Sequence, residues 1–349
     1  MSSKNKSRIV NLDLIRVIAI LAVVLYHTTQ MVAGSSLITI FIDPGQYGVD
    51  LFFVLSGFLI GGLYWSEKNQ NGQINMPKFI KRRILRTAPP YFFALILSFL
   101  PVWILEGQSF NFGYLFFLQN YYTEIPFFLV SWSLCVEIHF YLLLPLFIAM
   151  IQRLGFKDYL PLIIGLTAFL PMLFRCFIVD YDNIQKFGFY LTASHFRFDG
   201  LLLGVLASYY SAYKPIYIEH ISKFSSSVYL LNITFILAIP IIPKYWMYKF
   251  GLTILALLFC LLISALSQSK PLALSSRRLT KLIAQSSYSI YLTHALIIHI
   301  FIRLSKIFRL NSFVTWLLMV IAIFIFGYLF YVIVEKFSLA VRDKLAPKV

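Results

Sequence analysis

Charge is scarce in this sequence. Only 13% of its 349 residues are Asp, Glu, Lys or Arg, against roughly a quarter in an ordinary soluble domain. Acidic residues are the scarcest, 14 against 30 basic ones. With 60% of the residues hydrophobic, a soluble chain could not cover its apolar surface, so a water-soluble enzyme and a disordered regulator are both excluded. Cysteine is rare as well. Cys135, Cys176 and Cys260 sit in separate apolar stretches without CxxC spacing, which points to buried free thiols rather than a disulfide framework or a zinc site. No two histidines have HxxxH or HExxH spacing, so no catalytic metal is expected. No period of 20–50 residues recurs and no segment reads as a linker, which leaves one membrane domain over 1–349.

What the chain has in abundance is long apolar runs. The first follows Lys4, Lys6 and Arg8 and continues to about Val32. It is longer than the apolar core of a signal peptide and carries Asp13 and Arg16, so it reads as a retained transmembrane helix. A spanning helix needs about 20 mostly apolar residues. On that basis spans are expected near 10–33, 47–65, 88–105, 131–151, 158–178, 195–213, 226–243, 247–266, 283–303 and 312–335. Residues 110–130 are apolar and aromatic but interrupted by Gln119, Asn120, Glu124 and Pro126, and read as an interfacial or re-entrant segment. The fold class is therefore all-α, a polytopic membrane protein of about ten transmembrane helices. Of the 30 Lys and Arg residues, 21 fall on the side of the N-terminus, seven on the other side, and Arg16 and Arg197 within spans. That bias places both termini in the cytoplasm. Most of the net charge of +16 is thus a topology and lipid-headgroup signal, and nucleic acid is not a partner.

Ionisable residues inside spans are expensive, so each is a functional candidate. Arg16 and His27 are eleven residues apart, about three helical turns, and share a face with His27 ~16 Å further along. Asp13 lies three residues before Arg16, in reach of an ion pair. His27 and Glu137 each lie ~9 Å from the outer end of their spans. Asp50, Arg197 and Asp199 sit close to the same level. On the inner side Arg82, Arg83 and Arg86 cluster in a basic loop beside a helix start at Pro89-Pro90. A histidine backed by an acid suits proton abstraction from a sugar hydroxyl, and an arginine cluster suits phosphate groups. The bland alternatives are a structural Asp13–Arg16 pair, a core histidine, and an arginine loop that contacts anionic lipid. Acyl transfer and proton-coupled transport are both compatible with these charges.

At these residues the sequence resembles the acyltransferase-3 family of integral membrane acyltransferases, which includes bacterial O-acetyltransferases of lipopolysaccharide and other glycans. Asn11-Leu-Asp-Leu-Ile-Arg16 with Tyr26-His27 is similar to the family's first-helix motif, and Gly48 to Ile60, which contains Asp50 and Gly57, to its second-helix signature. Arg82-Arg83-Ile-Leu-Arg86-Thr-Ala-Pro89 resembles its arginine motif. Ser131 to Tyr141, with Glu137, resembles its serine–glutamate motif, and Arg197-Phe-Asp199 to Gly204 a later one. Ser287 to His294 is similar to a weaker motif in the ninth span. The matches run from residue 11 to about 340.

The resemblance implies a ten-helix enzyme that takes an acyl group, usually acetyl, from cytoplasmic acyl-CoA and delivers it to an acceptor at the periplasmic face. It implies His27 as the catalytic residue, with Arg16, Arg83, Arg86 and Glu137 as further functional positions. The sequence departs from the family pattern at Cys135, where Ser is common, and at Ile138-His139, where a second acid and Gln often stand. That leaves Glu137 as the single carboxylate of its motif. Glu335-Lys-Phe lacks the proline often found there. Many relatives carry an additional periplasmic esterase-like domain, and none is expected here.

The expectation is a transmembrane O-acyltransferase of the bacterial inner (plasma) membrane. Its acceptor would be a glycan or lipid-linked glycan such as lipopolysaccharide O-antigen or an exopolysaccharide, and its cosubstrate acetyl-CoA. His27 and Glu137 are the catalytic candidates, while Asp13, Arg16, Asp50, Arg82, Arg83, Arg86, Arg197 and Asp199 are candidate substrate-binding residues. The alternative is a proton-coupled transporter or exporter of a glycan or small anion. Against it stands the lack of an inverted repeat or paired broken helices in the sequence. Two further expectations concern packing. Gly57…Gly61 and Gly200…Gly204 suit close helix contact, and Tyr121, Tyr122 and Trp132 offer rings for stacking on a sugar.

Overall fold

A computed structural model describes residues 3–32, 41–184, 187–275 and 277–347. Lys186 and Lys348, counted above among the topology charges, lie outside the described residues, as do the side chains of Lys4, Lys6 and Arg8. The described chain is helical and contains no strand. In hydrocarbon every backbone N–H and C=O must find its partner within the protein, and a helix does this within one segment.

Helix α1 (Ser3–Val32) is followed by α2 (Gly48–Asn71) and α3 (Met76–Glu106). Helix α3 starts a full three turns before the expected Pro89-Pro90. The Asn75 side chain accepts from the Lys78 N–H, Pro77 occupies the first turn, and both prolines lie in the helix interior. The expected arginine loop is therefore the first part of a helix: Arg82, Arg83 and Arg86 ride on its early turns. Gly107, with φ of 65°, ends it.

Residues 107–131 form no long helix, as the interrupted pattern suggested, but three short 3-10 turns at Phe112–Phe116, Gln119–Tyr121 and Leu129–Ser131. Irregular backbone survives at membrane depth only where protein buries it. Here buried Gln119 donates to Tyr91 and Ser131, and buried Asn120 to the Thr192 carbonyl and Ser194.

Helix α4 (Trp132–Arg153) re-enters the membrane. The next span is broken into α5 (Leu160–Thr167) and α6 (Leu170–Ile178). Then come α7 (Phe198–Tyr213), α8 (Pro215–Lys223), α9 (Ser225–Ala238) and α10 (Leu252–Gln268). The chain ends in α11 (Arg278–Phe308), α12 (Ser312–Phe330) and α13 (Lys336–Leu345), the last two joined through a π-helical turn at Tyr331–Glu335.

Among the described residues eight helical segments are long and apolar enough to cross a membrane, or nine if α8 and α9, bent by 72°, make one span. The expected count was ten. The shortfall lies at 195–213, where Ser194–Phe196 is a 3-10 turn and α7 has only 16 residues, about 24 Å of helix against a hydrocarbon core of about 30 Å.

Helices α2 and α7 pack most closely. A side chain at Gly57 would collide with the Leu201 carbonyl, and one at Gly204 with the Val54 carbonyl, so the two glycines let the backbones touch as expected. The Trp65 indole N–H donates to Ser208 across the same contact, at 2.9 Å. At one end of the bundle buried Asn11 donates to the carbonyls of Leu266, Ser269 and Lys270 and accepts from Leu272 N–H and Ser275. At that end also Arg82 on α3 reaches Asp343 and the Ala346 carbonyl. The start of α1, the start of α3, the α10–α11 connection and the end of α13 each carry basic residues in the sequence.

Candidate active site

Arg83 and Arg86 are three residues apart on α3, hence on one face of the helix. Arg82 points elsewhere: it pairs with Asp343 at 3.2 Å and holds the chain end. Of the three arginines grouped by the sequence, two line a cavity and one is a tether. The Arg83 guanidinium lies over the Phe79 ring at 5.6 Å, and its Nε is buried without a hydrogen-bond partner among the described residues. Buried donors are seldom left unsatisfied, and a guanidinium edge left open beside a cavity is suited to an anionic oxygen.

That cavity is about 890 Å³, its open mouth included, and lies between α1, α2, α3, α4 and α11. Arg16, Arg83 and Arg86 contribute its positive charge; Glu137, Tyr141, Ser56, Ser133, Tyr288 and Tyr291 contribute most of its other polar groups. Asp13 pairs with Arg16 as the spacing predicts, which offsets part of the cost of an arginine at this depth. Glu137 sits in the second turn of α4. Tyr141, one turn further on, donates to its carboxylate at 3.0 Å and lies 2.8 Å from the Ser56 hydroxyl. Glu335, at the end of the α12 π turn and 2% exposed, accepts from Ser289 at 2.6 Å. Its charge and that of Glu137 both lie within electrostatic reach of Arg86. In the sequence Glu335 is visible only as part of a motif, Glu335-Lys-Phe. Nothing in its local pattern showed that a π turn would direct the carboxylate inward.

His27 is not one of the described residues lining this cavity. The expected His27–Glu137 pairing is absent: the carboxylate bonds to Tyr141, while His27 Nδ1 donates to the Val23 carbonyl one turn back, at 3.0 Å. The reason is geometric. Equal depth in two helices fixes height in the membrane but not the direction in which each side chain points. The ring beside His27 is His294 of α11, with centroids 5.0 Å apart and planes tilted by 47°. Tyr291 stands between the two regions. It lines the cavity, its hydroxyl bonds to Ser133 at 2.7 Å and to the Val130 carbonyl, and its ring centre lies 5.5 Å from that of His294. The cavity and the histidine pair thus meet across one tyrosine.

Asp50, Arg197 and Asp199 are brought together, but with each other. Arg197 pairs with Asp50 at 2.8 Å. Asp199 pairs with Arg175 at 2.9 Å and accepts from Thr253 at 2.7 Å. Arg175, one of the seven basic residues that the sequence places on the side opposite the N-terminus, is fully buried, also donating to Thr253 and the Phe196 carbonyl. Two arginines and two aspartates therefore neutralise one another where α2, α6, α7 and α10 meet. Their geometry is that of a structural network beside the site. The Arg197 guanidinium also covers the Trp132 ring at 5.0 Å, so Trp132 is buried beneath a cation rather than open to a sugar. Tyr122 bonds to Asn111. Tyr121 is exposed and stacks on His195, with centroids 5.9 Å apart. No group of three or more His, Cys, Asp or Glu residues able to hold a metal ion occurs among the described residues.

Comparison with known proteins bears on what this site is. O-acetyltransferase OatA of Staphylococcus aureus strain NCTC 8325 / PS 47 is 27% identical over 317 residues, 81% of this chain and 49% of the relative. The OatA of strain COL matches to the same degree. The chain spans about half the length of the curated relatives it matches. No solved structure matches it. The acyltransferase domain of the acyltransferase-3 family matches residues 9–332, which takes in α1 with His27, the arginines of α3, Glu137 and His294. The chain belongs to the acyltransferase-3 family.

Proposed function

We propose that the protein is a transmembrane O-acetyltransferase of the bacterial plasma membrane, moving an acetyl group from cytoplasmic acetyl-CoA to a hydroxyl of a cell-surface or periplasmic glycan. The observation that carries this reading is the arginine-lined cavity between α3 and Tyr291, with His294 against the Tyr291 ring and His27 against His294. Arg83 and Arg86 bind donor phosphates at the mouth. Arg16, held by Asp13, lies along the wall, and the hydroxyls of Ser56 and Tyr141, ordered by Glu137, line the path of the thioester arm. The OatA relatives carry O-acetyl transfer in their names, which supports the same class of activity here.

In this reading His27 is the general base. Its Nδ1–H is committed to the Val23 carbonyl, so Nε2 is the basic nitrogen. Nε2 takes the proton of the acceptor hydroxyl as the oxygen attacks the thioester carbonyl. The carbon–sulfur bond breaks, and the departing thiolate recovers the proton from the imidazolium. The products are the O-acetyl ester and free coenzyme A. General-base help of this kind is worth about 10²–10⁴ in rate.

Purified protein in lipid, given labelled acetyl-CoA and a glycan acceptor, should form O-acetyl ester. His27→Ala should lower turnover by at least about 10² while leaving the thermal unfolding midpoint in place. Full activity in that variant overturns the assignment of His27. Accumulation of acceptor across the vesicle membrane without ester formation would favour transport instead.

A further inference from the structure

The histidine pair is not used up by this mechanism. His294 is completely buried, and its Nδ1 lies 2.6 Å from the Tyr291 carbonyl. A carbonyl only accepts, so Nδ1 carries the hydrogen and Nε2 is left with a lone pair. That Nε2 has no hydrogen-bond partner among the described residues. An orphaned acceptor in a dry interior calls for an explanation, and packing does not provide one, since an apolar ring would fill the space at less cost. The ring packed against that of His294 is His27, 5.0 Å from centre to centre with the planes tilted by 47°.

Resting on the reading of His27 as base, we infer that His294 is a positioning residue for the reaction: a neutral imidazole packed against the His27 ring, whose unpartnered Nε2 lone pair favours the positive charge that forms when His27 takes the proton. When His27 takes the hydroxyl proton, a cation forms in a low-dielectric site, where it is costly unless a partner is already in place. A carboxylate would do this strongly, but Glu137 is bound to Tyr141. His294 offers a lone pair with no charge of its own, so it stabilises the imidazolium without holding the proton so firmly that it cannot pass to the leaving thiolate. The tie to Tyr291, whose ring faces the cavity, keeps the His294 ring fixed while this happens. His294 itself gains and loses no covalent bond.

Two substitutions separate this role from packing. In His294→Asn the side-chain amide stands where Nδ1 stood and can still donate to the Tyr291 carbonyl, but nothing occupies the place of Nε2. In His294→Gln the amide reaches the place of Nε2. The inference expects His294→Asn to lower kcat roughly ten- to a hundredfold, a share of the general-base contribution, with KM for acetyl-CoA unchanged. His294→Gln should recover most of the loss. If the asparagine variant is fully active, or if asparagine preserves kcat and glutamine does not, His294 is structural and the inference fails. His27→Ala, measured alongside, keeps the two readings apart. An active His27→Ala removes the general-base reading, whereas an inactive His27→Ala beside an active His294→Asn removes only the inference about His294.

Discussion

At the scale of the residue, neighbouring cations of one sequence motif divide between different tasks. Arg82 spends its hydrogen bonds on Asp343 and the Ala346 carbonyl, while Arg83 keeps a buried, unpartnered Nε beside the cavity. A charge-assisted hydrogen bond is worth about 1.5–3 kcal/mol, or roughly ten- to a hundredfold in affinity. Arg83→Ala and Arg86→Ala should therefore each weaken acetyl-CoA binding by about that factor, whereas Arg82→Ala should leave it nearly unchanged and expose the end of α13 to protease. Calorimetric titration of the three variants distinguishes them, and equal weakening by all three would mean that the arginines act as a general positive field. Arg175 makes the opposite case. A buried ion pair broken on one side costs about 3–5 kcal/mol, so Arg175→Met should lower thermal stability sharply through the uncompensated Asp199. Arg175→Met together with Asp199→Asn should recover part of that loss. No recovery would argue that Asp199 has another cationic partner.

The same scale shows what the sequence made legible and what it did not. The ionisable residues inside spans were visible individually, because charge stands out against apolar surroundings. Their partners were not. Asp13 and Arg16 could be paired because three residues on one helix settle the geometry. Asp50 and Arg197 are separated by well over a hundred residues of sequence, and their pairing depends on how α2 and α7 pack. That Glu137 bonds to Tyr141 and not to His27 was not legible, because hydropathy gives depth along the bilayer normal, and the azimuth of each side chain follows from helix packing. His294 stood within a weak motif, but its contact with His27 joins the two ends of the chain.

At the scale of the element, the decisive contact is that of α2 with α7. Glycines at 57 and 204 bring the two backbones together, and that approach sets Asp50 against Arg197 at one end and Trp65 against Ser208 at the other. The glycine spacing was legible in the sequence, but the shortness of α7 was not. Its apolar run continues upstream through Ala193 and Phe196, buried residues that belong to turns rather than to the helix. Gly204→Val should force the helices apart at a cost of about 1–3 kcal/mol, seen as a lower unfolding midpoint in detergent. Because α2 also carries Phe52, Phe53 and Ser56 to the cavity wall, activity should fall further than stability alone explains. A variant with normal stability and normal turnover would show that the contact is not under strain and does not set the cavity.

For the whole molecule, the arrangement of charge implies a direction. The basic residues of α3 lie at the end where Arg82 meets the C-terminal helix and where Asn11 ties α1 to the α10–α11 connection. The cavity is lined by Arg83 and Arg86 as well as by Tyr291, and His27 lies in the second half of α1. An anionic donor too polar to cross the bilayer would thus enter from the basic face, while the acceptor approaches the histidine pair from the opposite one. Proteoliposomes in which the protein is inserted in one known orientation make this measurable. Labelled acetyl-CoA supplied on the face of Arg83 and Arg86 should support ester formation on acceptor held on the opposite side, and donor supplied with the acceptor should not. Reversal of charge at the mouth, Arg83→Glu with Arg86→Glu, should abolish the first reaction by excluding the donor while leaving the protein folded. Equal reaction from both faces would mean that donor and acceptor share one entrance, and the two-sided path through Tyr291 would have to be abandoned.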